Sequence, residues 1–353
     1  MKAVARHFST GARRTFDLPG ASREKLLFGP AFVDLQCNGF AGVDFNRPET
    51  TPEQICASIY AMWRTGCAVV LPTVITAATD RLEHLLRTLV AARKLDAEVR
   101  RSVPGFHLEG PFISPIDGAR GAHPHAHVRP CDVKLWRRLH RAADGLIRLV
   151  TLAPEVSGAL PFIRRLRSEG VVVAIGHTLA TRAQVAASAE AGAQLSTHLG
   201  NGCPQMLHRH ENPVLAQLGE DRLAATLIAD GIHLPPDVLR TFVRAKTTSR
   251  SILVTDAMAA AGAPPGRYTI GDLAVEVGSD RVVRQPGSPN FAGSALTMDA
   301  AVKNAVACRA MPLSEAWRAA SPNVVGKNRD VLVLEERSFR VREVLRGGKE
   351  PLF

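Results

Sequence analysis

Glu109, His177, His198 and Asp256 are the residues of this chain whose types can do chemistry together. Each closes a short apolar run. Glu109 ends Phe106-His107-Leu108-Glu109-Gly110-Pro111, and His177 lies in Ala174-Ile175-Gly176-His177-Thr178. His198 lies in Ser196-Thr197-His198-Leu199, and Asp256 in Leu253-Val254-Thr255-Asp256-Ala257. Two imidazoles and a carboxylate, with coordination positions left open, make a catalytic site for zinc or a similar divalent ion. Asp256 is placed to orient a water, act as base and return the proton to a leaving group. Any one of these side chains alone reads as a loop residue or a helix cap. Three ligand types at successive strand ends read as a site.

Other candidates flank that set. His233, in Ile228-Ala229-Asp230-Gly231-Ile232-His233, can polarise a carbonyl or stabilise an oxyanion. His123, His125 and His127 alternate in a Pro-bearing loop, where His125 and His127 read as solvated. Arg209, between His208 and His210 on a polar loop, suits a phosphate or carboxylate.

The elements that must position these residues alternate short strands with helices from residue 31 to 256. Strands are expected at 31–35, 68–72, 103–108, 146–152, 171–175, 193–196, 224–228 and 251–254. Helices fall between them; Thr51 caps one at 51–64, with Pro52 in its first turn and Gln54 completing a capping box. Leu82, Leu85, Leu86 and Leu89 share one face of another, at 80–95. Eight such strands predict a (β/α)8 barrel, whose C-terminal strand ends meet over one mouth. A doubly wound open sheet is the alternative, but no Gly-rich fingerprint follows the first strand. The barrel occupies residues 30–264, with final helices in 291–327. A small β-sandwich is expected from both chain ends, residues 1–29 and 328–353, with hairpin strands at 265–290.

Composition narrows the partners. The 353 residues are 46% hydrophobic and 22% charged, ordinary for a globular α/β protein with a sizeable core. The net charge of +11 invites a nucleic-acid reading, but the basic residues are dispersed and two Tyr and three Trp offer few stacking platforms. Attraction of a small anionic substrate is the milder consequence. Six cysteines without a CxxC pair suit reduced thiols in the cytoplasm. Residues 1–30 carry no apolar run of a secretory signal, and no stretch reaches membrane-span length, so no membrane partner is expected.

The ordered set of motifs, together with Ala292-Gly293-Ser294, resembles N-acetylglucosamine-6-phosphate deacetylases of the amidohydrolase superfamily, from about Pro30 to Lys327. The resemblance implies a metal-dependent barrel, usually a homodimer, that hydrolyses an N-acetyl amino sugar to acetate and the amino sugar. It implies Glu109, His177 and His198 as ligands of one divalent ion, Asp256 as general base and acid, and His233 on the acetamide or sugar. Fe2+, Co2+ or Mn2+ are alternatives to zinc. Substrate contacts are implied at Ala122, His123, Asn201, Gly202, Arg209, Asp230, Phe291, Ala292 and Gly293.

Three departures qualify it. Many amidohydrolases carry a His-x-His pair after the first strand for a second metal; Gln36 and Asn38 stand there instead, as in one-metal members, and neutral amides predict a single tightly bound ion. The stretch His198-Leu199-Gly200-Asn201-Gly202-Cys203 and the loop around Arg209 depart from the family's sugar-phosphate pattern, so deacetylation carries over better than 6-phosphate specificity. The chain ends are short, which predicts a reduced β-domain. Two rival readings remain at this point. One keeps the metal site but takes an unphosphorylated acylated amine or a cyclic amide. The other is a non-catalytic basic binding protein, which has no need of Glu109, His177, His198 and Asp256 together.

Overall fold

Eight parallel strands carry the fold: Phe32–Cys37, Cys67–Ile75, Phe106–Glu109, Ile147–Leu152, Val172–Ile175, Leu195–Ser196, Ala224–Ile228 and Ser251–Val254. Each pairs with the next in chain order, so the sheet curls toward a barrel. The computed structural model describes residues 1–287, 291–326 and 328–347; the remaining parts of the expected segments 265–290, 291–327 and 328–353 lie outside the described residues. The first two strands are buried along their whole length, as parallel strands covered on both faces must be. Leu, Ile and Val from the strands and from one face of each surrounding helix form a single core. The expected face of Leu82, Leu85, Leu86 and Leu89 is buried in it.

Local chemistry sets the boundaries. Thr51 accepts from the Gln54 amide, while the Gln54 side chain accepts from the Thr51 amide at 2.9 Å, which starts the helix Pro52–Trp63. The third strand begins at Phe106 and not at Val103. A short helix, Ala97–Ser102, capped by Asp96, takes up the preceding residues. Gly105 then passes so close to the next strand that a Cβ would fall 2.5 Å from the Leu146 carbonyl.

The barrel closes without a regular ladder between its last and first strands. Asp256 N donates to Gln36 O at 3.0 Å, and Asn38 N and Gly39 N both donate to Ala257 O at 2.6 and 3.2 Å. Below them, side chains complete the seam.

Both chain ends contribute to one five-stranded sheet in the order Val341–Leu345, Val331–Glu335, Leu26–Pro30, Lys2–His7, Arg13–Asp17. Ala5, Phe16, Leu18, Leu26, Phe28, Val331 and Val333 form its own small core. Residues 266–284 do not add a layer to that domain, contrary to expectation. Gly266–Ile270, Leu273–Val277 and Val283–Arg284 make a separate antiparallel sheet. Ile270, Val275, Val277 and Val283 pack on Ile75, Met258, Ala259 and Ala260, residues at the barrel mouth. Apolar alternation announces such a hairpin but not the surface it covers. Among the described residues no helix is long and apolar enough to cross a membrane.

Candidate active site

The strand-end residues meet over one mouth. His177, His198 and Asp256 each step off a strand with positive φ, at 49°, 29° and 48°. A non-glycine residue held there costs on the order of 1–3 kcal/mol, so neighbouring bonds must enforce it. They do: Thr226 Oγ1 accepts from His198 N at 2.7 Å, and Asp256 is held at both its amide (to Gln36 O, 3.0 Å) and its carbonyl (from Ser294 N, 2.9 Å). The turns aim the side chains inward, where Glu109, His177 and His198 are 3%, 7% and 4% exposed.

Among the described residues these three form the one group of His, Cys, Asp or Glu side chains arranged to hold a metal ion. Glu109 Oε1 lies 3.0 Å from His198 Nε2 and 3.4 Å from His177 Nε2, and the two Nε2 atoms are 3.1 Å apart. His177 Nδ1 faces the Ala119 carbonyl at 2.9 Å, so Nδ1 carries a proton and Nε2 is the nitrogen that faces Glu109. Glycines make room for that ring. A Cβ at Gly202, whose φ is +61°, would lie 2.9 Å from His177 Nδ1.

Two ring nitrogens and a carboxylate oxygen converging on one buried point suit a cation. Electrostatics point the same way. Burial would raise the Glu109 carboxyl, but hydrogen bonds and charges from His177 and His198 hold it well below the ordinary glutamate range. Burial opposes charge on His198, yet Glu109 outweighs it and raises the imidazole. Two nitrogens and one carboxylate so placed fit a divalent ion.

Gln36 and Asn38 occupy the carboxylates a second ion would need. Gln36 Nε2 donates to Glu109 Oε1 at 2.8 Å, and Asn38 Nδ2 donates to Asp256 Oδ1 at 2.8 Å. Burial and the nearby Glu109 charge raise the Asp256 carboxyl, against the pull of His198, His233 and Asn38; the net result is about 6. Asp230 Oδ2 accepts from His233 Nδ1 at 2.6 Å while its Oδ1 accepts from the Ile232 and His233 amides at 2.8 Å. That leaves His233 Nε2 for a ligand. His123 is buried, bonded through Nδ1 to Thr76 Oγ1 at 2.8 Å, and held neutral by burial and His177, its value lowered to about 3.

A cavity of about 240 Å³ opens above Glu109, His177 and His198. Its walls include Asn38, Ala122, His123, Asn201, Gly202, His233, Asp256, Phe291, Ala292 and Gly293, all candidates from the sequence. Gln36 and Asp230 lie behind the wall, each holding a residue that faces the cavity. Arg209 is exposed on its loop and is not part of the wall.

No protein-family model matches the chain. It is 35% identical over 299 residues to an N-acetylgalactosamine-6-phosphate deacetylase of Escherichia coli O157:H7, covering 85% of this chain and 77% of the relative. It is 34% identical over 275 residues to an N-acetylglucosamine-6-phosphate deacetylase of Bacillus subtilis strain 168, covering 76% of this chain and 67% of the relative. The chain belongs to the N-acetylglucosamine-6-phosphate deacetylase family. A solved structure of a family member agrees: a mutant of the Mycobacterium smegmatis N-acetyl-D-glucosamine-6-phosphate deacetylase, in complex with N-acetyl-D-glucosamine-6-phosphate. It matches with a TM-score of 0.83 at 31% identity, over 96% of this chain and 91% of that one.

Within this deacetylase-family barrel, sequence reasoning missed several wall residues: Ile75 and Ile270 on one side, Gly118, Gly121, Cys203 and Gln205 on the other. The glycines carried a signal, because Gly118, Gly121 and Gly202 all have positive φ in loops beside the candidate histidines. Ile270 carried none, since its role depends on where the three-stranded sheet docks.

Proposed function

We propose that this chain deacetylates an N-acetylated amino sugar 6-phosphate, N-acetylglucosamine 6-phosphate foremost, releasing acetate and the amino sugar phosphate. The carrying observation is the convergence of Glu109, His177 and His198 beside Asp256 in one cavity. The ligand set fits one divalent ion, with zinc the best match to two imidazoles and a carboxylate. Such an ion supplies Lewis-acid polarisation and promotes ionisation of water near neutral pH.

The chain's own residues do the rest. Asn38 fixes Asp256 through Oδ1, which leaves Oδ2 to take the proton from the attacking water. The water oxygen bonds to the acetamide carbon, and His233 Nε2, when protonated, donates to the developing oxyanion. Asp256 then returns the proton to the sugar nitrogen as the carbon–nitrogen bond breaks, and acetate carries away the water oxygen. Asp230 keeps the His233 ring oriented throughout. The buried walls of Ile75, Ile270 and Ala292 exclude bulk water from the reacting groups.

One observation favours a second reading, hydrolysis of an unphosphorylated acylated amine: among the described residues that line the cavity none is Lys or Arg. Acetate release across N-acetylglucosamine, N-acetylgalactosamine and their 6-phosphates, with metal analysis of the same preparation, separates the two. Faster turnover of a free sugar than of its phosphate would sink the first reading. The same reading includes a cytoplasmic homodimer. The free cysteines suit a reducing compartment, and Met206 and Phe291, 89% and 44% exposed, offer apolar surface to a second copy. Sedimentation of the purified protein as a monomer would remove the dimer from it.

A further inference from the structure

Asp34 lies on the first barrel strand two residues before Gln36, and Asn38 follows just past the strand's end. It is fully buried at the seam where the eighth strand meets the first. Its carboxylate gathers three donors there. Oδ1 accepts from Gln36 N and Thr255 N, both at 3.2 Å, and Oδ2 accepts from Thr255 Oγ1 at 2.5 Å. The strand register shifts between Asp34 and Cys37, and no ladder joins the last strand to the first, so Asp34 supplies acceptors at an irregular seam.

The two residues that Asp34 grips lead to the two sides of the active site. Thr255 precedes Asp256 in the chain, and its Oγ1 also accepts from Ala257 N at 3.0 Å, so it fixes the backbone on both sides of Asp256. Asp256 needs that control because its φ is positive. Gln36 bonds Glu109 Oε1 with its side chain and the Asp256 amide with its carbonyl. We propose that Asp34 is a positioning residue for the deacetylation, holding Asp256 through Thr255 and Glu109 through Gln36. Asp34 lies beneath the reacting groups and touches no substrate. The inference rests on the deacetylase reading for its kinetic readout, and on the metal-ligand assignment for its binding readout.

Asp34→Ala strands three buried donors and frees both arms. The expected result is a kcat lower by about 100-fold with KM within about threefold, and a metal dissociation constant raised about tenfold in chelator competition. Asp34→Asn keeps an acceptor for the two amides, and kcat should recover to within about tenfold of wild type. A folded Asp34→Ala protein with kcat within about threefold of wild type overturns the inference. If Asp34→Ala does not fold, Thr255→Val decides. It removes only the hydroxyl, and kcat should fall about tenfold with KM and metal content unchanged; full activity overturns the inference. A wild-type protein inert on every acetylated sugar would defeat the deacetylase reading instead. Metal affinities of wild type and Asp34→Ala would then still test the hold on Glu109, with equal affinities overturning it.

Discussion

Glu109, His177, His198 and Asp256 stand on strand ends at the floor of the cavity, whereas Asn201, Gln205 and Phe291 stand on loops at its rim, and Arg209 lies farther out on the same loop as Gln205. Each floor residue is held from outside its own turn: Glu109 by Gln36, His177 by Ala119, His198 by Thr226, and Asp256 by Gln36 and Ser294. The rim is looser: His208, Arg209 and His210 are exposed, and the hydrogen bonds of His208 and His210 run within the loop, as from the Glu211 amide to His208 Nδ1. A site of this construction fixes its reaction by the scaffold and leaves its substrate to the loops.

The sharpest way to break that contrast is at the floor. Asp256→Asn keeps the shape and the φ of the turn but removes the base, so turnover should fall by about 10³–10⁴-fold with metal content unchanged. Substantial activity in that variant would remove Asp256 from its role. Glu109→Gln acts one step earlier. It exchanges the one anionic donor for a neutral amide, and metal affinity itself should drop by at least about 100-fold. Full occupancy in the purified variant would mean that Glu109 is not a ligand.

The floor was legible in the sequence for a physical reason. A chemically active residue immediately after an apolar strand marks its own place in a barrel, because all such ends converge. Thr51, Pro52 and Gln54 likewise announced a helix start through purely local bonds. What stayed hidden depends on docking between distant segments. The sheet of residues 266–284 is visible as strands, but its seat against Ile75 and Met258 is not. The partnership of Asp34 with Thr255 joins residues 221 apart and leaves no periodic trace.

Asp44 tests how firmly the rim sheet is tied to the floor. Its carboxylate accepts from Asn46 N and Gly271 N at 2.8 Å and from Thr269 Oγ1 at 3.1 Å, joining the barrel to the three-stranded sheet. Burial nevertheless pushes its carboxyl up to about 6. The native state thus holds this proton more tightly than the unfolded chain does. The contribution to stability is full below the unfolded value near 4 and is lost as pH rises through about 6, by at most about 3 kcal/mol. Urea unfolding across that window should show the fall, and Asp44→Asn should flatten it. Identical pH profiles for the two proteins would refute the assignment.

The smallest effect belongs to Arg209, and it bears most directly on what the rim reads. An exposed guanidinium meets a phosphate in high dielectric, where such a pair contributes little. Arg209→Ala should therefore raise KM for a 6-phosphate by no more than about tenfold and leave kcat and the free sugar untouched. The effect should shrink further as salt is added. An equal loss on both sugars would make Arg209 a packing residue of its loop. No loss on either would leave phosphate selection to the neutral donors of the wall, Asn201 and Gln205 among them. The rim would then discriminate by shape and hydrogen bonding, as the floor does, and the net charge of +11 would serve only to draw the anion in.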